Sequence, residues 1–204
     1  MDCREIYKEG EAMNKIITVS RQFGSGGRTI AREVAHRLNI PCYDHELIEK
    51  VEKDSGFTKE YINENGECAS MGILTSMFGT SFGRDLVWTS QCKVICQLAG
   101  EGPCVVVGRC ADYILQGKAD LLKVFIHADI KKRAERIVTV YGESDVAPKK
   151  LIKEMDKRRA SYYSYYTDEE WGIASNYDIA LDSGKFGIDK CIDLIVDLYK
   201  KSPV

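Results

Sequence analysis

The 204-residue chain has no apolar run approaching the roughly 20 residues that a membrane-spanning helix needs. Its first fourteen residues, MDCREIYKEGEAMN, mix charges and lack an apolar centre, so they do not read as a secretion signal. Met13 stands just before the first strand-like run, and the leader ahead of it reads as an extension or a misassigned start. Charge of one sign is missing too. Twenty-nine basic side chains face 31 acidic ones, a net charge of −2, so no global field draws the chain to nucleic acid or a lipid surface. Any phosphate binding has to be local. Eight cysteines (Cys3, Cys42, Cys68, Cys92, Cys96, Cys104, Cys110, Cys191) form no CxxC pair, which argues against a zinc framework. Several fall in apolar runs, where a reduced thiol packs as a small hydrophobe, and a reducing cytoplasm is the expected compartment. His45 and His127 lack metal-ligand spacing.

What is present is a globular composition, 44% hydrophobic and 29% charged, of a size for one domain. Lys15 to Val19 reads as a short buried strand, and Arg28 to Leu38 as a helix with Ile30, Ala31, Val34, Ala35 and Leu38 on one face. Further strands are expected at 40–43, 103–108, 121–126 and 177–181. Helices are expected at 46–53, 59–64 (Thr58 as N-cap), 85–99, 129–141, 149–166 and 188–200. Residues 65–84 are rich in Gly, Ser and Met and read as a mobile loop. Strands alternating with helices predict a parallel α/β sheet with its cleft at the strands' carboxyl ends.

The chemistry is expected to start at Ser20-Arg21-Gln22-Phe23-Gly24-Ser25-Gly26-Gly27-Arg28-Thr29. Glycines between a strand and a helix let backbone N–H groups converge on an anion at the positive helix terminus. Arg28 and Thr29 stand where a phosphate loop carries its Lys and Ser/Thr. In one register Gln22 replaces the first glycine of G-x-x-x-x-G-K-[ST]. In the other, G-P-S-G-A-G-K-G-T, Gly24, Gly26 and Thr29 coincide and Gly27 takes the lysine position. Arg21 either faces phosphates or pairs with a carboxylate.

A second set of segments follows: Val105-Val106-Val107-Gly108-Arg109, then Arg133-Ala134-Glu135-Arg136, then Asp156-Lys157-Arg158-Arg159. With Ser20 to Ala31, Ile40 to Ile48, Gly108 to Leu115 and Arg159 to Thr167, these make the chain from Lys15 onwards resemble the cytidylate kinase-like proteins. The resemblance implies a three-layer P-loop kinase fold with a five-stranded parallel sheet and helices on both faces. It implies an acceptor flap at about 58–84 and a lid at about 142–167, both mobile. It also implies transfer of the γ-phosphoryl of ATP, with Mg2+, to a nucleoside monophosphate, CMP or dCMP first.

Under that resemblance Gly24, Ser25, Gly26, Gly27, Arg28 and Thr29 hold the donor phosphates, and Arg109 meets the acceptor. Arg133, Arg136 and Arg158 neutralise the transferring group, and Asp44 and Asp156 belong to the acceptor side. Cys110 replaces the acid of the family's G-R-D segment, so Asp112 becomes the nearest acidic candidate for the acceptor and Thr29 the remaining candidate for the metal. Plainer readings stand beside these. Asp44 can cap the next helix, Arg133, Arg136, Asp156 and Arg158 can be helix surface, and Tyr162, Tyr163, Tyr165 and Tyr166 can be packing. Two other functions also remain: a kinase of a nucleoside or small metabolite, and a nucleotide-binding sensor with little catalysis. No nucleic-acid or membrane partner is expected.

Overall fold

The computed structural model describes residues 14–67, 80–142 and 146–201. The leader to residue 13, the middle of the expected flap (68–79) and lid residues 143–145 lie outside that range. Five strands form one parallel sheet: β1 (Lys15–Arg21), β2 (Cys42–Tyr43), β3 (Cys104–Val107), β4 (Asp120–His127) and β5 (Ile179–Asp182). Their order across the sheet is β2-β3-β1-β4-β5. The interior strand β3, CVVV, is buried along its length because both its faces are covered, which is why it reads as an unbroken apolar run. Register fixes Thr18 beside Val106 on one side and beside Lys123 on the other.

Helices cover both faces. On one face, Ile17, Val19, Val105, Val107 and Val124 pack against α1 (Gly27–Leu38) and α9 (Ile188–Lys201), the last helix of the chain. The other face carries Ile16, Cys104 and Val106 under α2 (His45–Ser55), α3 (Lys59–Asn65), α4 (Thr80–Glu101), the short α5 (Ala111–Ile114) and α7 (Pro148–Thr167). Helix α6 (Ile130–Tyr141) joins β4 to α7, and α8 (Ser183–Phe186) follows β5. Each fully buried Ile or Leu in these layers contributes about 1.5–3 kcal/mol, so the sheet is a stiff platform for whatever its edge carries.

Strands β2 and β5 each start two residues later than expected, and two further boundaries shift next to the cleft. Helix α4 begins at Thr80, so residues 80–84 are helical and not loop. Strand β1 runs on to Arg21, so Ser20 and Arg21 belong to the strand and not to the glycine turn. Thr58 caps α3 as expected, its hydroxyl accepting from the Tyr61 amide at 3.2 Å. The described cysteines are free thiols, all buried except half-buried Cys42. Connections leaving β1 and β3 run to opposite sides of the sheet, which opens a crevice at their carboxyl ends.

Candidate functional site

The glycine turn spans the crevice between β1 and α1. Gly24 and Gly26 have φ of +77° and +82°, a conformation that L side chains rarely adopt. Gly26 is also the N-cap of α1 and supplies no side-chain cap, so the first N–H groups of that helix point outward without an intrahelical partner. Four ties hold the turn. The Gln22 side-chain oxygen accepts from Ala128 N at 3.2 Å, and Asp156 Oδ1 accepts from Phe23 N at 2.7 Å. Arg133 Nη1 donates to Phe23 O at 3.2 Å, and the Ser183 hydroxyl donates to Ser25 O at 2.6 Å. Ser25 turns its own hydroxyl onto Gln22 O and stays buried, closing the turn. A cradle fixed this way meets an anion without reorganising.

The cleft in front of it has a volume of about 260 Å³. Five arginines (Arg21, Arg28, Arg109, Arg136, Arg159) and two acids (Asp44, Glu67) are on its walls, which gives it a net positive lining. Asp44 stands at the N-cap position of α2 but makes no cap bond; its Oδ2 accepts from Arg28 Nε at 2.6 Å. Arg28 is therefore drawn to the β2 side of the loop. Arg136 leans on the loop from α6, its Nη2 donating to the Thr29 hydroxyl at 3.0 Å.

The deepest wall is a buried group of three guanidinium ions around one carboxylate. Arg21 Nη1 lies 2.9 Å and Arg159 Nε 3.9 Å from Glu67 Oε1. Arg159 Nη1 donates to Arg21 O at 2.8 Å and its guanidinium rests over the Phe23 ring. Burial alone pushes the Glu67 carboxyl up, but the fields of Arg21, Arg159 and Arg109 outweigh it and hold it at about 2. Arg109 reaches this group through backbone strain. Gly108, Arg109 and Cys110 are left-handed in succession (φ +69°, +59° and +56°), which costs about 1–3 kcal/mol for each non-glycine residue and turns the chain sharply off β3. Gln91, fully buried on α4, fixes the result. Arg109 Nη1 donates to Gln91 Oε1 at 3.0 Å, and Gln91 Nε2 faces Arg109 O and the Tyr162 hydroxyl. Gly66 leaves space for the same arginine, whose Nη1 would lie 2.9 Å from a Cβ placed there.

Other expected site residues fall elsewhere. Arg133 is buried and structural, donating to Ala128 O, Phe23 O and Asp156 Oδ2, the last at 2.6 Å. Asp156 thus ties the expected lid helix to the glycine turn and is not on the cleft wall. Arg158 pairs with Glu154 along α7 and does not line the cleft either. Trp88 stacks on Tyr166 with centroids 4.2 Å apart, and Tyr162 and Tyr163 are buried in the core, so this aromatic cluster is packing.

Asp112 also stays out of the cleft. It is buried beneath β1, with the Tyr163 hydroxyl 3.1 Å from Oδ2. Burial lifts its carboxyl to about 6, against 3.8 ordinarily. A raised folded-state pKa means that stability is fully present below about pH 4 and is lost as the pH climbs through 6. Asp112→Asn is therefore expected to be more stable than the parent by about 1–2 kcal/mol at pH 7.5 and no more stable at pH 4. Urea denaturation at the two pH values measures this, and equal stability at pH 7.5 would contradict it.

Reading the sequence did not single out Glu67, Gln91 or Arg159 for the site, and left Arg21 open. Gly66-Glu67 falls inside a Gly/Ser-rich stretch that looks featureless, and nothing local says which face of α7 Arg159 takes. Its position three and four residues before Tyr162 and Tyr163, on the buried side of α7, is the one usable signal.

Comparison with known proteins bears on the family and the fold. A family model for the cytidylate kinase-like family matches residues 16–185. A cytidylate kinase of Methanosarcina mazei is 27% identical over 187 residues, covering 88% of this chain and 93% of that relative. Among solved structures, a protein of Eubacterium ventriosum superposes with a TM-score of 0.72 at 28% identity over 92% of this chain and 99% of the other. A shikimate kinase from Acinetobacter baumannii, in complex with shikimate, matches at a TM-score of 0.54 and 15% identity, covering 92% of this chain and 93% of that one. The last likeness is one of fold alone.

Proposed function

Since the chain belongs to the cytidylate kinase-like family, and so to the phosphotransferases of the P-loop kinase fold, we propose that it moves the γ-phosphoryl of ATP to a nucleoside monophosphate, CMP or dCMP first. One observation carries the reading. The fixed glycine cradle and a buried group of arginines converge on one cleft, with five guanidinium ions against two carboxylates. Phosphoryl transfer asks for positioning and charge neutralisation rather than covalent help, and this is what such a cleft supplies.

In this reading Gly24, Ser25, Gly26, Gly27 and Thr29 receive the donor phosphates through loop and helix N–H groups. Arg28 and Arg136 flank the mouth of the loop. A smaller cavity of about 180 Å³, lined by Gly24, Lys132, Arg136, Gly184 and Ile188, continues past the loop and suits the rest of the donor nucleotide. Arg109 and Arg159 receive the acceptor's phosphate, with Asp44 at the acceptor's edge. Asp156 and Arg133 keep the loop in shape, a positioning role, while Asp112 and Arg158 act only if the enzyme changes conformation. Thr29 and Asp44 offer hard oxygen donors on the cleft wall. That set suits Mg2+, which takes one or two protein oxygens and otherwise phosphate and water. When bound, the ion neutralises charge on the donor phosphates.

The two carboxylates on the cleft wall favour a second reading, a kinase whose acceptor offers a hydroxyl without a phosphate. Incubation with ATP, Mg2+ and a panel of nucleoside monophosphates, nucleosides and small alcohols separates the two. ADP formation with CMP or dCMP supports the first; turnover only with unphosphorylated acceptors rejects it, and ATP binding without transfer to any acceptor leaves the sensor role. Arg109→Ala is expected to raise KM for the acceptor by about 10–100-fold, the worth of a charge-assisted bond, with KM for ATP little changed. Steady-state kinetics in both substrates checks it, and a change confined to ATP would be incompatible with this assignment.

A further inference from the structure

We infer that Arg21, from the end of β1, makes the donor-phosphate contact that the absent loop lysine would otherwise make. The inference rests on the kinase reading above and concerns which cation serves it. The two left-handed glycines, Gly24 and Gly26, fit the register in which lysine belongs at position 27 and the first glycine at position 21. Here the two positions have exchanged residue types, glycine at 27 and a cation at 21.

Packing explains why one change requires the other. A Cβ on Gly27 would lie 2.5 Å from Arg21 Cβ and 3.0 Å from Arg21 Cγ, so the stem of Arg21 fills the space that any side chain at 27 would need. From there the guanidinium extends along the buried wall of the cleft past Gly108, where a Cβ would meet Nη1 at 1.9 Å. Glycine at 108 and at 27 together form a channel for this one side chain. Its head ends between the glycine turn and the Arg109 wall, where the transferring group of the proposed reaction has to pass.

Two further observations bear on Arg21. Its Nε is buried and finds no hydrogen-bond partner among the described residues, while Nη1 is held by Glu67 at 2.9 Å. A desolvated donor without a partner costs about 1–3 kcal/mol, so the fold holds this guanidinium in the wall at a cost. Arg28, the cation in the first turn of α1, instead gives its Nε to Asp44 and leaves 36% of its side chain in solvent. A buried guanidinium acts on phosphate charge far more strongly than one screened by water, and grips two oxygens at once where lysine grips one.

Three variants test the exchange against wild type: Arg21→Gly, Arg21→Gly/Gly27→Lys, and Arg21→Met/Glu67→Gln. The last removes both members of the buried pair, so no lone carboxylate unfolds it. ATP binding by calorimetry and phosphoryl transfer to the best acceptor are measured for each. Arg21→Gly and Arg21→Met/Glu67→Gln are expected to lose about 100-fold in turnover, as for removal of one preorganised charge donor. Arg21→Gly/Gly27→Lys is expected to return to within about tenfold of wild type, since the lysine stem then occupies the vacated channel. A merely structural role for Arg21 would not be rescued from another backbone position. Transfer at the wild-type rate by Arg21→Met/Glu67→Gln, or a folded Arg21→Gly/Gly27→Lys as slow as Arg21→Gly, overturns the inference and leaves the kinase reading standing. Wild-type protein that neither binds ATP nor transfers from it overturns both.

Discussion

Asp156→Ala is expected to slow phosphoryl transfer by about 100-fold or more and to destabilise the fold by about 3 kcal/mol. The carboxylate performs two tasks at once. One oxygen takes the Phe23 amide of the glycine turn at 2.7 Å and the other takes Arg133 at 2.6 Å, while Arg133 itself is 7% exposed. Alanine leaves a buried guanidinium without its counter-charge and the loop without the tie that reaches it from α7. The loop then samples conformations in which its N–H groups no longer converge, and positioning is most of what this chemistry needs. Turnover at saturating substrates and urea denaturation measure the two effects. Asp156→Asn separates them, because its amide oxygen still accepts from Phe23 but no longer balances Arg133. A full-speed alanine variant would remove the α7 tie from the account of the site. If the tie works as described, Arg133→Met combined with Asp156→Ala should cost much less than the sum of the two single changes.

Glu67→Gln should produce the second large effect, and it should depend on the buffer. Glu67 is the carboxylate on which Arg21, Arg109 and Arg159 all act. Its loss leaves three guanidinium ions repelling one another in a buried wall, a cost of about 3 kcal/mol at low ionic strength. The site then becomes an open receptor for anions. Inorganic phosphate at about 100 times its dissociation constant would restore about 2.7 kcal/mol by binding only the folded form. Thermal melting of Glu67→Gln with and without phosphate reads this directly, and a phosphate-independent Tm would dismiss the picture of an arginine wall. In the parent the sign with pH runs the other way from Asp112. A carboxyl held at about 2 in the fold, against 4.5 ordinarily, adds stability that is complete above about pH 4.5 and drains away as acid brings the pH down toward 2.

These predictions depend on residues that differ greatly in how visible they are along the chain. Glycines 24 and 26 can be read directly, since a strand followed by a glycine-rich turn and an amphipathic helix leaves little else for them to do. Arg109 is visible as a residue ending a strand, but the left-handed turn that aims it is not, because Arg and Cys carry no local preference for that conformation. Arg133 and Arg158 share a composition and a helical setting; one is buried under the loop and the other lies on the helix surface beside Glu154. Helical period gives faces, yet it does not say which neighbour each face meets.

Local chemistry by itself determined the five strands, the order of strand and helix, the glycine turn and the layered sheet, since each follows from side-chain periodicity or from the freedom of glycine within a few residues. Tertiary structure alone decided which cations share the cleft. Arg21 meets Glu67 across 46 positions and Arg159 meets Arg21 across 138, through contacts made only after the sheet has closed. The physical reason is range. A turn or a strand is stabilised by its immediate neighbours, whereas a buried charge is tolerable only beside its partner, and the fold, not the spacing, brings that partner to it.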